Sequence, residues 1–184
     1  MKRILEKVLG PSSIDTPRMK LVAITPTMLR AEHRGAMALA RALPAKVLAE
    51  WPPEGWEPAV HEFVLKQFEQ FPKTLGWHRY MLLPSAEAGR SKQLTLIGAC
   101  GAFPRERGDV ELGYSTLPSF QRKGYATEAV RSLCEYLLGC DGVSSISAQA
   151  YARLPESVKV MERCGMTYAG LGDEPGTVRY RRSR

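Results

Sequence analysis

Nothing in the 184-residue chain runs apolar for the roughly 20 positions that a helix needs to cross a bilayer. That argues against a spanning segment and a membrane partner. Met1–Gly10 places Glu6 and Lys7 where an export signal would need an unbroken apolar stretch, so a cytoplasmic location is the default expectation. Cysteine is scarce too: Cys100, Cys134, Cys140 and Cys164 contain no C-x-x-C spacing, which speaks against a thiolate metal centre. They are expected as free thiols, three of them in core segments. The three histidines, His33, His61 and His78, read as structural rather than catalytic, and no metal is expected. Internal repeats, linkers and stretches biased toward disorder are missing as well. A single domain over 1–184 follows, with 1–13 as an N-terminal appendage.

What is present is ordinary globular material, 44% hydrophobic and 24% charged, with a formal charge of +7. A basic chain invites a nucleic-acid partner, but the arginines are not gathered into a clear patch. The densest group, Arg179, Arg181, Arg182 and Arg184, lies on a strand where Val178 and Tyr180 alternate with the first two, as on a solvated sheet face. Nucleic acid is therefore not the expected partner, although a basic RNA- or ribosome-associated protein stands as a further reading.

Along the chain, Leu5, Val8 and Leu9 suggest a short helix over Met1–Leu9. Met19–Ile24 reads as a strand, Thr25 as a helix cap with Pro26 in the first helical position, and Gly35 as the break between two helices. The proline-rich loop from Trp51 to Pro58 precedes a helix whose inner side is expected to hold Val60, Phe63, Val64, Phe68 and Phe71. Its Trp51 and Trp56 beside Glu54 and Glu57 could receive an amine cation, or the indoles could simply cover core. Trp77–Leu83 and Leu94–Phe103 read as paired strands around a polar loop. Ser145–Tyr151, Met166–Leu171 and Thr177–Arg182 read as later strands, with a short helix over Pro155–Cys164 stopped by Gly165. Strands and helices in this mixture make the fold α/β (α+β), with a mixed sheet.

The most informative segment is Asp109–Leu138, where a strand, a glycine-containing turn and a strongly periodic helix follow one another. Ala126, Ala129, Val130, Leu133, Cys134 and Leu137 recur at three- and four-residue spacing, which is the core stripe of a helix. Gln121, Arg122, Lys123, Gly124, Tyr125 and Ala126 fall where the turn becomes that helix. Amides without helical partners and the positive end of the helix dipole converge there, an arrangement suited to a diphosphate. Gly124 reaches dihedrals closed to other residues, and Arg122 and Lys123 add positive charge.

The pattern Q-x-x-G-x-A, preceded by V-E-L-G-Y and followed by P-E-S-V-K-V-M-E-R-C-G-M, resembles the GNAT acetyltransferase superfamily. The branch it resembles includes ribosomal-protein N-alpha-acetyltransferases and many small-molecule acetyltransferases. Near the start, I-D-T-P-R-M-K-L (Ile14–Leu21) resembles that branch's first strand. The resemblance implies a central, mostly antiparallel sheet flanked by helices, with strands splayed where acetyl-CoA binds. It also implies transfer of an acetyl group to a primary amine by direct attack in a ternary complex, and homodimers are common among such relatives.

Carried onto this chain, the resemblance makes Glu111, which alternates with Val110 and Leu112, the candidate base acting through water. The N–H of Tyr114 becomes the donor to the thioester oxygen. Thr116 and Leu117 become main-chain partners of the pantetheine arm, and Gln121 to Ala126, with Thr127, hold the diphosphate. Ser157 matches the serine of the family's N-x-x-S motif and would neutralise the leaving thiolate. Three positions depart from the pattern: Leu154 replaces the usual asparagine, Gln149 stands where glutamate is common, and Met161 occupies the place of a general-acid tyrosine. In its absence, Ser157 or Tyr151 would supply the proton. These departures keep open a second function, a non-catalytic acyl-CoA-binding regulatory module.

Overall fold

The computed structural model describes residues 12–84 and 93–184. The helix expected over Met1–Leu9 and the polar loop expected after the third strand lie outside the described residues, the loop in large part. The chain divides into two compact units, Met1–Ala99 with Ser115–Phe120, and Cys100–Tyr114 with Gln121–Arg184.

The first unit opens with β1 (Ser13–Asp15) and β2 (Lys20–Ala23), paired antiparallel through Ile14 and Leu21. The segment likened to one first strand is thus a hairpin. Pro17 has no amide to donate, and Thr16 closes the turn by donating its own N–H to the Met19 carbonyl at 2.9 Å. Thr25 caps α1 (Pro26–His33) by accepting from the Met28 amide at 3.2 Å, with Pro26 in the first turn, as expected. Gly35, at φ 108°, separates α1 from α2 (Ala36–Ala42).

In α3 (Pro58–Gln70) the buried residues are His61, Val64, Gln67 and Phe68, while Phe63 and Phe71 are exposed. The inner face is turned from the expected one because two polar side chains find partners inside. His61 meets the Trp56 carbonyl at 3.2 Å, and Gln67 meets His78 at 3.1 Å. β3 (Arg79–Pro84) pairs antiparallel with β2, and Leu21, Leu29, Leu39, Val64, Tyr80, Met81, Leu96 and Ile97 form the core. Each such side chain contributes on the order of 1.5–3 kcal/mol by burial.

β4 (Leu94–Pro104) and β5 (Asp109–Thr116) run through both units. In the second unit α4 (Tyr125–Leu138) follows, with Ala129, Val130, Leu133, Cys134 and Leu137 buried as the spacing required. β6 (Ser145–Tyr151) lies parallel to β5, and α5 (Pro155–Arg163), β7 (Thr167–Leu171) and β8 (Thr177–Ser183) complete the unit. The strand order is β1-β2-β3-β4-β5-β6-β8-β7 in an open, mostly antiparallel, eight-stranded sheet. Cys100, Cys134 and Cys164 are buried thiols, and the Cys140 thiol is half-buried. No helix among the described residues is long and apolar enough to cross a membrane.

Candidate active site

β5 and β6 run parallel, and their pairing stops early. It runs from Asp109↔Ser145 to Leu112↔Ala148, although β5 continues to Thr116 and β6 to Tyr151. From Gly113 and Gln149 onward the two strands part. Their main-chain groups then face a gap instead of a ladder, so a linear molecule with amide groups can pair there in place of a strand. Tyr114 is the second residue beyond the last paired one.

Gln121–Gly124 forms a turn into α4 in which Arg122 has φ 58° and Gly124 φ 81°. Both are left-handed, and successive amides around such residues point to a common side. Gly124 is the N-cap of α4 and makes no side-chain cap hydrogen bond, so the start of the helix, with the amides of Ala126 and Thr127 in its first turn, is suited to an anion. The donor set is main-chain N–H with Arg122 and Lys123 beside it, which fits a diphosphate.

In the first unit, Thr116 is buried and the end of β5 lies tight against β4. A Cβ at Gly98 would stand 2.5 Å from the Ser115 carbonyl and 3.2 Å from the Thr116 Cα. The Leu117 amide donates to the Ile97 carbonyl at 2.9 Å, and its own carbonyl accepts from Phe120 at 2.9 Å. The expected role of Leu117 toward a pantetheine arm is narrowed accordingly, because its N–H is occupied and only a second carbonyl lone pair is left.

Glu111 occupies a polar network on one face of the second unit. Arg105 donates to its Oε2 from Nε at 2.9 Å and from Nη2 at 2.6 Å, and Gln149 Nε2 stands 3.1 Å from each carboxylate oxygen. Asp173 joins through Arg105 at 3.0 Å, Gln149 at 2.8 Å and Arg179 at 2.5 Å. These donors hold the Asp173 carboxyl below its usual range, hydrogen bonding from Gln149 being the largest cause and Arg179 next. The network explains the glutamine at 149. A glutamate there would put a third carboxylate between two others and remove the amide that donates to both. Arg105 and Asp173 were not legible as site residues, although Arg105 sits across the β4–β5 turn from Glu111.

Ser157 lies in the first turn of α5, and the Tyr114 hydroxyl donates to its carbonyl at 3.0 Å and stands 3.4 Å from its Oγ. Burial pushes the Tyr114 phenol up to about 12. Leu154 is the N-cap of α5 with no side-chain hydrogen bond and is exposed, and Met161 is fully buried. Tyr151 turns elsewhere: its hydroxyl donates to Glu174 at 2.8 Å and its ring lies under Arg153. The structure therefore does not bring Tyr151 to Ser157, whereas it does bring Tyr114.

The loop after Trp51 answers the remaining question. Both indoles donate to the buried carboxylate of Glu32 on α1, Trp51 at 2.6 Å and Trp56 at 3.2 Å, and the Tyr80 hydroxyl donates to the same group. Trp56 is 5% exposed, so the indoles cover core and their N–H groups are already paired. The outer side of the loop meets the end of β5 and the chain after it, where Ser115 Oγ donates to the Glu54 carbonyl at 2.5 Å and Ser119 donates to the Glu50 carboxylate.

A helix start that fits a diphosphate, in the same unit as a parted parallel strand pair, is an arrangement suited to a nucleotide cofactor. The family model for the acetyltransferase (GNAT) domain matches residues 27–167, and the chain belongs to that family. It is 26% identical over 157 residues to an uncharacterized N-acetyltransferase, YjdG, of Bacillus subtilis, covering 83% of this chain and 88% of that one. Among solved structures it is similar to the ribosomal L7/L12 alpha-N-protein acetyltransferase RimL in complex with coenzyme A, at 16% identity and TM-score 0.60, covering 93% of this chain and 97% of that one. It is also similar to the spermidine N-acetyltransferase SpeG of Vibrio cholerae, at 18% identity and TM-score 0.56, covering 89% and 94%. At these identities the two structures speak for the fold.

Proposed function

We propose that the protein moves an acetyl group from acetyl-CoA to a primary amine, either a protein N-terminus or a small-molecule amine, by direct attack in a ternary complex. Acetyl-CoA is the acyl donor. The observation that carries the reading is the parting of β5 from β6 after Leu112 and Ala148, in the same unit as the uncapped start of α4. The main chain of Gln121–Thr127 holds the diphosphate, with Arg122 and Lys123 adding charge. The Tyr114 N–H donates to the thioester oxygen as negative charge develops on it.

Amines are mostly protonated at neutral pH, so a base must take a proton before the nitrogen attacks. Glu111 serves this role through water. Its Oε2 is fixed by Arg105, while Oε1 accepts from Gln149 and keeps lone-pair capacity for a water molecule. Ser157, in the first turn of α5, faces the departing sulfur.

The buried Met161 favours a second reading, an acyl-CoA-binding module without turnover. One experiment separates the two: release of free thiol from acetyl-CoA across a panel of N-terminal peptides and small amines, alongside calorimetry of acetyl-CoA. Amine-dependent thiol above the hydrolytic background is the expected result. Binding without such release from any amine rejects the enzyme and leaves the module.

A further inference from the structure

We propose that the Tyr114 phenol donates a hydrogen bond to the sulfur that leaves the acetyl group, in the role for which Met161 offers no donor. The proposal rests on the acetyl-transfer reading and adds a catalytic side chain to it.

Three observations converge on this residue. Tyr114 lies two positions beyond Leu112, where β5 and β6 cease to pair, so it is rooted at the mouth of the gap. By strand alternation its side chain shares the face of Val110 and Leu112, and its hydroxyl reaches the first turn of α5 at Ser157. Its present acceptor is a helical carbonyl, whose regular partner is the amide one turn further on. The bond from Tyr114 is therefore a second one, which the phenol can exchange for a better acceptor such as a thiolate. The same residue's N–H is assigned to the thioester oxygen, which keeps the ring within a residue's reach of the reacting carbon.

The alternatives are weaker on the same geometry. Met161 carries no proton, and Tyr151 is held by Glu174. The Cys164 thiol is turned to the Thr127 carbonyl at 3.5 Å. Ser157 Oγ stands 3.4 Å from the phenol and can relay to it.

In the step itself the amine nitrogen forms the C–N bond, the C–S bond breaks, and its electron pair stays on sulfur. The amine proton passes through water to Glu111 and then to solvent. With its hydroxyl pushed up to about 12 by burial, the phenol keeps its own proton and stabilises the thiolate as a donor; sulfur takes a proton from water as coenzyme A is released. The sum is an amide and a free thiol.

The test is Tyr114→Phe, which keeps the ring. The expected result is a kcat lower by about ten- to hundredfold with acetyl-CoA affinity unchanged, the usual worth of a bond to a charged acceptor. A readout independent of turnover is the ultraviolet thiolate absorbance of bound coenzyme A titrated against pH. In the unsubstituted protein the bound thiol should ionise about one pH unit below the free one, and in Tyr114→Phe the difference should vanish. A kcat within twofold of the unsubstituted protein, or a Ser157→Ala loss that Tyr114→Phe does not share, overturns the proposal. Should Tyr114→Phe not fold, the titration of the unsubstituted protein decides: a bound thiol ionising at or above the free value overturns it. Failure of the acetyl-transfer reading is seen separately, as no amine-dependent thiol release from the unsubstituted protein.

Discussion

Arg105 closes both Nε and Nη2 on a single oxygen of Glu111, at 2.9 and 2.6 Å. Arg105 is 47% and Glu111 20% exposed, so water screens the pair and it adds under about 1 kcal/mol to stability. Its consequence is orientation. Arg105→Gln should leave the thermal midpoint nearly unchanged and lower kcat roughly three- to tenfold, with acetyl-CoA affinity intact. Glu111→Gln should lower it further, most at low pH, where little amine is unprotonated. Steady-state kinetics across pH with parallel melts check both; a Glu111→Gln profile parallel to that of the unsubstituted enzyme would remove the base assignment.

Gly124 carries φ 81° at the entrance to α4, where a side chain is strained and would stand among amides assigned to the diphosphate. Gly124→Val should cost on the order of 1–2 kcal/mol in stability and abolish acetyl-CoA binding by calorimetry, while circular dichroism reports the same helix and strand content. Retained affinity in a folded variant would move the diphosphate elsewhere.

The sequence made the second unit readable where spacing and main-chain chemistry decide the outcome. The stripe from Ala129 to Leu137, the strand Ser145–Tyr151 and the turn before Tyr125 all follow from local pattern, and the structure has them. Legibility failed where partners distant in sequence decide. The face of α3 turned because His61 and Gln67 are satisfied by Trp56 and His78, which no periodicity announces. Glu111 looked like an isolated outward carboxylate; Arg105 and Asp173, 6 and 62 positions away by residue number, make it a network. Likewise Tyr114 was read for its amide, since only the folded chain shows its hydroxyl at Ser157.

Glu32 is 7% exposed and gathers two indole N–H groups and the Tyr80 hydroxyl on one carboxylate. Removing the acceptor leaves buried donors without partners, each costing about 1–3 kcal/mol. Glu32→Ala should therefore destabilise by roughly 2–5 kcal/mol in urea, with a red-shifted tryptophan emission as Trp51 and Trp56 meet water. Glu32→Gln, which keeps one acceptor oxygen but turns an NH₂ toward donors, should fall between. A loss below about 1 kcal/mol in Glu32→Ala would mean that the proline-rich loop holds its shape without the carboxylate.

His78 is fully buried, and desolvation lowers its pKa from 6.5 to about 3. Its Nε2 lies 3.1 Å from the Gln67 side-chain oxygen, which the neutral ring can satisfy as a donor. Between about pH 3 and 6.5 the unfolded chain binds a proton that the native state refuses. Stability must therefore rise with pH across that window, by at most about 1.4 kcal/mol per unit for this group, and level off above 6.5. His61, also lowered chiefly by burial and only partly compensated by Glu32, contributes in the same direction. In His78→Gln, urea unfolding at pH 5 and pH 7 should differ by less than in the unsubstituted protein, the remainder belonging to His61 and the carboxylates. An undiminished difference would show that His78 takes up its proton in the folded state, and hence that the base of α3 admits water.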